Sequence, residues 1–201
     1  MENMENKTVL ENTEKLKLFE FEFSKIHNPK FKQFAEDVLV KLVPDYFFEV
    51  AASSTGKYHP TYALGHQGLV RHTQAATRIA IGLFQIMDMT PDTEDAVIVA
   101  LAFHDAFKHG LKMQKYTISE HPVVASQQIK EFAEEYEDIE IVCFANTVAE
   151  LILTHMGQWN IDRQTRKPFA PRPQNSVQNF VHMCDYLASR KYLEFIFGEK
   201  I

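Results

Sequence analysis

The run ALAFHDAFKHG, residues 100–110, constrains the fold more than any other stretch of the chain. It reads as the end of a buried helix, yet it carries His104, Asp105 and Lys108 together. An imidazole or a carboxylate buried without a partner is costly. Other polar groups must therefore meet this point from elsewhere in the chain. The residues upstream supply the helix itself. TPDTEDAVIVALAFHDAFK offers Thr90 or Asp92 as a cap, acids in the first turn and then an apolar run.

The rest of the chain reads as further helices. NPKFKQFAEDVLVKLV has Asn28 as a cap, Pro29 at the first helical position and a helical apolar period, and Pro44 ends it. GLVRHTQAATRIAIGLFQIM, 68–87, is a long helix. SEHPVVASQQIKEFAEEY starts another, with Ser119 as the candidate cap, and EDIEIVCFANTVAELILTH, 137–155, is the next. NSVQNFVHMCDYLASRKYLEFIF is the last, capped by Asn175. Two long loops interrupt them, 51–66 and the Pro-rich 156–173. In NTEKLKLFEFEFSKI, 12–26, the alternating LFEFEF core has a strand period while its flanks look helical, so both states stay open. The expected class is all-α, a compact helical bundle.

Composition narrows the function. The formal net charge is −6 and no polybasic block is present, which argues against a protein that coats long nucleic acid. The 16 phenylalanines, several in apolar stripes, read as core. Cys143 and Cys184 read as free buried thiols in apolar helices, which suits a reducing cytoplasmic setting. The first residues are charged and lack the apolar segment of a signal peptide, and no apolar run approaches the ~18 residues of a membrane span.

Among nine histidines, metal-type residues fall at informative places. His72 lies inside one helix, His104 and Asp105 end the next, His121 opens a third, His155 ends a fourth and Asp185 lies in the last. A single histidine on an apolar face is most often a hydrogen-bonded core residue. The ordered set is more specific, because a shared cation would satisfy all six groups. Nitrogen and oxygen ligands without thiolate suit Mn²⁺, Fe²⁺ or Ni²⁺, with Zn²⁺ or Mg²⁺ also compatible.

The order His … His-Asp … His … His … Asp resembles the HD-domain metal-dependent phosphohydrolase superfamily, in its two-metal branch. HDAFKHG matches the HD-x-x-K-x-G form, with Lys108 and Gly110. EHPVVASQQI is similar to a His-Pro segment that opens a helix in two-metal members, and GHQGLVRHT to their entry helix. FFEVAASSTGKYHPTYALGHQGLVRHT and RKPFAPRPQNSVQNFVHMCDYLASRK further resemble the HD part of bacterial 3′-to-5′ exoribonucleases. Those enzymes add an OB fold, for which the ~40 residues ahead of the motifs are too short. Ala125 and Gln67 stand where many relatives have Gly, and Met156 where some have a second His.

The resemblance implies an N-terminal extension over 1–28 and an HD domain over 29–201. It implies two divalent ions, one held by His72, His104, Asp105 and Asp185, the other by Asp105, His121 and His155. Asp105 would bridge them, and a two-metal-activated hydroxide would attack phosphorus in line. Asp105 and Lys108 are the candidate catalytic residues, Lys108 steadying phosphate oxygens or the leaving group. The substrate would be a nucleotide or a short single-stranded nucleic acid, cleaved at a phosphodiester or phosphomonoester.

The two long loops and the entry helix supply the candidate substrate-binding residues His59, Tyr62, Arg71, Gln158, Arg163, Arg166 and Lys167, along with Arg172. Cations there would bind phosphate, and Tyr62 or Trp159 would stack a base. His182, one turn before Asp185, reads as a support to the ligands or as core, and His66, His109 and His27 as structural. A homo-oligomer is compatible with this reading. Two other functions stay open: a di-iron oxygenase of HD type that cleaves C–C or C–P bonds, and a non-catalytic HD module that senses a nucleotide.

Overall fold

A computed structural model describes residues 10–53, 56, 59–162 and 165–193. Its helices in chain order are α1 (Asn12–Leu18), α2 (Glu20–Phe23), α3 (Pro29–Asp37), α4 (Gly68–Leu83), α5 (Pro91–Phe103), α6 (His121–Ala133), α7 (Ile139–Thr154) and α8 (Ser176–Ala188). Among the described residues there is no strand, only one isolated bridge between Ile161 and Pro168. The all-α class read from the sequence is the observed one. No helix among them is long and apolar enough to cross a membrane.

α5 is the axis of the bundle. Every residue from Ala96 to Phe103 is buried, as a helix apolar on all sides must be. It packs on α4, α7 and α8, while α4 also packs on α8 and α6 on α7. Burying each large side chain of this helix stabilises the fold by roughly 1.5–3 kcal/mol. Its start is fixed by Thr90, whose hydroxyl accepts from the Thr93 amide, with Pro91 in the first turn. The buried carboxylate of Asp95 accepts from the amides of His27 and Asn28 and from the His27 ring, which ties the entry to α3 onto α5.

The segment with two readings, 12–26, is helical. Phe19 and Phe23, four residues apart, are buried and stack with ring centres 5.5 Å apart, and Phe23 meets Phe103 of α5. Phe21, the residue that completes the alternation, instead carries the Arg78 guanidinium against its ring. Between them Glu22 is buried and accepts from Arg78 at 2.6 Å. The period of two came from a salt bridge and a cation–π contact set between two core positions, both compatible with a helix.

Asn28 caps α3 through Lys30, as the sequence indicates, and Asn175 caps α8 through Gln178. α3 continues as one wide π-type turn, Val38–Leu42, before Pro44. Phe31 of α3 lies flat on Phe144 of α7, with ring centres 3.8 Å apart. The Tyr136 hydroxyl donates to Asp37 at 2.6 Å. Two details depart from the sequence reading. Ser119 does not cap α6: the helix opens at His121 with Glu120 in the cap position and no side-chain cap bond. Cys143 is exposed, while Cys184 is buried. Cys143 lies one turn from Ile139 on the outward face of α7, and that face happens to start with an apolar residue.

The loop 51–66 is pinned to α4. Ala52 bonds back to Ala63, Leu69 to Val50 and Gln67 to Glu49. Gly68 makes this possible, because a Cβ there would sit 2.3 Å from the Ala63 carbonyl oxygen and 3.0 Å from the Ala51 Cα.

Tyr136→Phe removes a charge-assisted bond and is expected to lower the unfolding free energy by about 1–2 kcal/mol, read by denaturant titration at neutral pH. Burial opposes ionisation of Asp37, but the bonds from Tyr136 and Lys41 outweigh it and hold the carboxyl below its usual value. A carboxyl lowered in the folded state stabilises the fold above its unfolded value, and that gain is lost as pH falls through the folded one. The difference between Tyr136→Phe and the parent should therefore shrink in acid.

Candidate metal centre

Five helices deliver the six polar residues to one buried place. His72 points from the second turn of α4. His104 caps the end of α5 and Asp105 follows it. His121 is the first residue of α6, His155 the cap at the end of α7, and Asp185 lies in α8. All four imidazoles and Asp105 are buried.

Asp105 is the hub. Its Oδ1 lies 3.0 Å from His121 Nε2 and 3.9 Å from His155 Nε2. Its Oδ2 lies 3.6 Å from His72 Nε2 and 3.8 Å from His104 Nε2. Asp185 Oδ1 completes the second group, 3.0 Å from His72 Nε2 and 3.3 Å from His104 Nε2. Lys108 donates to Asp105 Oδ2 at 2.5 Å.

The backbone fixes how three of the rings face. His104, His121 and His155 each direct Nδ1 at the carbonyl three residues earlier, on Leu101, Ile118 and Ile152. A carbonyl only accepts, so each Nδ1 carries the proton and each ring, when it holds no second proton, presents an Nε2 lone pair inward. His121 Nε2 and His155 Nε2 then face each other 3.3 Å apart. Two lone pairs at that distance repel, and a divalent cation held by His121, His155 and Asp105 would relieve that repulsion. His104 Nε2 meets His72 Nε2 at 3.4 Å in the same way, and His72 Nδ1 is buried without a hydrogen-bond partner. The donor set fits divalent metal. His72, His104 and Asp185 are placed to hold one ion, as are His104, Asp105 and His155.

The electrostatics agree. Burial works against ionisation of Asp105, but Lys108, His104 and His121 outweigh it and hold the carboxyl well below the usual range. Asp185 is likewise held low against burial by His104 and His72. Burial works against charge on His104, yet Asp105 and Asp185 push it up. Burial, with His104 and His121 beside it, takes His155 down to about 3. Both carboxylates are therefore anionic at neutral pH, and His155 keeps its lone pair.

The candidate substrate residues are placed as follows. His59 stands at the edge of the cluster, its ring edge-on to His72 at 5.2 Å, its Nδ1 buried without a partner, and burial with His72 nearby takes it down to about 3. Tyr62 donates its hydroxyl to the Ala188 carbonyl. Arg71 donates to the carbonyls of Tyr62, Leu64 and His66, so its guanidinium shapes the loop ahead of α4. Gln158, Arg166 and Lys167 are exposed. Arg163 lies outside the described residues. Arg172 leans on Asn160 at 3.5 Å. His27 bonds Asp95 and His109 bonds the Gln114 carbonyl.

Two supports escaped the sequence reading. Gly157, at φ +55°, lies against the His182 ring, where an added Cβ would come within 2.4 Å. His182 in turn directs Nδ1 at the His155 carbonyl at 2.7 Å. A glycine just past a helix end is a known stop signal, and THMGQW carries it, but contact with a ring 25 residues later leaves no local trace. Tyr46 donates to the Gly110 carbonyl at 2.7 Å and accepts from the His109 amide, which steadies the turn after Lys108.

A helical bundle whose central helix ends in a His–Asp pair, ringed by histidines from its neighbours, is a metal-site scaffold. The sequence model of the HD domain matches residues 69–190, and the chain belongs to that family. Proteins of the family are generally metal-dependent hydrolases. Neither the comparison with curated proteins nor that with solved structures returns a match.

Gly157→Ala is expected to displace His182 and tilt His155, with metal affinity falling about 10–100-fold, as losses of ligand supports do. Metal titration followed by calorimetry checks this, with circular dichroism to show that the helices persist.

Proposed function

We propose that this chain is a metal-dependent phosphohydrolase that cleaves a phosphodiester or phosphomonoester of a nucleotide or of a short single-stranded nucleic acid. The observation that carries the reading is the sharing of Asp105, with Oδ1 turned to His121 and His155 and Oδ2 to His72 and His104. That division supports a two-ion reading, in which His72, His104, Asp105 and Asp185 would hold one ion and Asp105, His121 and His155 the other. Mn, Fe or Ni fits the donors best. When bound, such ions would supply an acidified water as nucleophile and offset charge on phosphorus.

The chain's own residues do the rest. Asp105 and Asp185 hold negative charge in a buried place, and three backbone-anchored rings keep their lone pairs aimed. Lys108 keeps its ammonium at the Asp105 carboxylate, one donor's reach from where a phosphate oxygen would enter. Gln158, Arg166 and Lys167, exposed on the loop after α7, would take the outer phosphates. Arg71 and Tyr62 would act by holding the loop that carries His59. The acidic net charge favours small or short substrates over long polymer, whether cleaved as an exonuclease or as a nucleotidase. Two unpaired cysteines suit a cytosolic setting.

The test is elemental analysis of the purified protein, followed by a screen of phosphodiesters and nucleotides with each ion. Asp105→Ala is expected to lose metal and all turnover while the helical fold persists, and full activity in that variant would remove the reading. Lys108→Ala should keep its metal and lose about 10²-fold in kcat, so loss of metal instead would make Lys108 structural. Oxygen uptake by an iron-loaded protein without hydrolysis would point to the oxygenase chemistry. Nucleotide binding without turnover on any ion would point to a sensor.

A further inference from the structure

Trp159 is the chain's only tryptophan. It ends the short turn Gly157–Trp159, four residues beyond His155, and is 45% exposed. Its ring is parallel to Tyr186, with centres 5.3 Å apart and planes 9° apart. The Arg190 guanidinium lies 4.1 Å from the Tyr186 ring centre and is itself fixed by bonds to Ser189 and to the Tyr186 carbonyl. His182 packs against Trp159 at 5.6 Å.

This column is attached to the metal centre from two sides. Tyr186 is the residue after Asp185, so their Cα atoms are about 3.8 Å apart. His182, which touches Trp159, also bonds the His155 carbonyl, and Gly157 lies against the same ring. The indole therefore has one fixed position relative to two ligands. Its burial against Tyr186 covers one face and leaves large apolar surface open at the rim. The loop that follows exposes Arg166, Lys167 and Arg172, and Arg172 reaches Asn160, the residue after the indole. A half-exposed π surface held to the ligand cluster, on a segment that goes on to expose cations, matches a ligand that is both planar and anionic. That description fits a nucleobase joined to phosphate, and it does not fit a sugar phosphate alone.

We infer that Trp159, stacked on Tyr186, is the platform on which the base of a nucleotide substrate lies while its phosphate reaches the metal centre. This rests on the nucleotide reading given under the proposed function and names the residue that would distinguish bases from abasic phosphates. Stacking of this kind is tolerant of base identity, so the platform would accept every base.

The single tryptophan makes its own reporter. Protein loaded with Mg²⁺, which unlike Mn²⁺ is not paramagnetic, is titrated with adenosine 5′-monophosphate and, separately, with ribose 5-phosphate. Saturable quenching of the Trp159 emission by the nucleotide, and none by the sugar phosphate, is the expected result. Calorimetry should show nucleotide affinity about tenfold weaker in Trp159→Ala and near the parent value in Trp159→Phe. Equal quenching by both probes, or none by the nucleotide, overturns the platform, as does a Trp159→Ala variant that binds the nucleotide undiminished. Hydrolysis of bis(4-nitrophenyl) phosphate by the parent protein separates the two ideas. Hydrolysis without quenching removes the platform and leaves the hydrolase, and quenching without hydrolysis on any ion does the reverse.

Discussion

The structure turns on the carboxylate of Asp105. A buried anion with four imidazole nitrogens around it is stable only if positive charge is close. Lys108 supplies one such charge. The facing lone pairs of His121 and His155 call for another, because neither ring can donate to the other while its Nδ1 proton is held by a carbonyl. The bundle around this point can then be understood as the means of bringing five helices to one anion. α5 is apolar on all sides because its far end must reach the middle of the molecule, where the His–Asp pair is needed.

The same logic explains which loops are firm. The described ends of the loop 51–66 are bound to the start of α4 by backbone bonds and by the Arg71 guanidinium on three carbonyls, and His59 stands at the edge of the cluster just ahead of the second of these ends. On the other side Gly157, His182 and Trp159 form a layer between the end of α7 and α8. His182 thus joins the His-Asp cluster to Trp159, through its bond to the His155 carbonyl and its packing on the indole.

Much of this was legible in the sequence. The helices announced themselves by apolar period and by caps at Asn28, Thr90 and Asn175, because these signals are local. The six metal-type residues stood out because they fall in order on successive helices, most of them in apolar neighbourhoods. Their order carried the family resemblance, and the family itself is confirmed over residues 69–190. What stayed hidden was long-range. LFEFEF could not be assigned without knowing that Arg78, some 56 residues on, neutralises Glu22. Arg71 looked like a phosphate ligand, and only coordinates reveal its three carbonyl partners. Cys143 looked buried because its neighbours in sequence are apolar, whereas it shares the outward face of α7 with the exposed Ile139. Ser119 is not the cap because α6 opens one residue later than its signal indicates, at His121 with Glu120 in the cap position.

One arrangement carries a wider consequence. The acceptors that orient His104, His121 and His155 belong to the main chain at Leu101, Ile118 and Ile152, and the carbonyls of Ile118 and Ile152 also accept from the amides of His121 and His155. Side-chain identity at those three positions is therefore irrelevant to ligand aim. One aliphatic group can replace another there and leave the acceptor in place, whereas shortening or lengthening a helix by a single residue would rotate a ring away from the cluster.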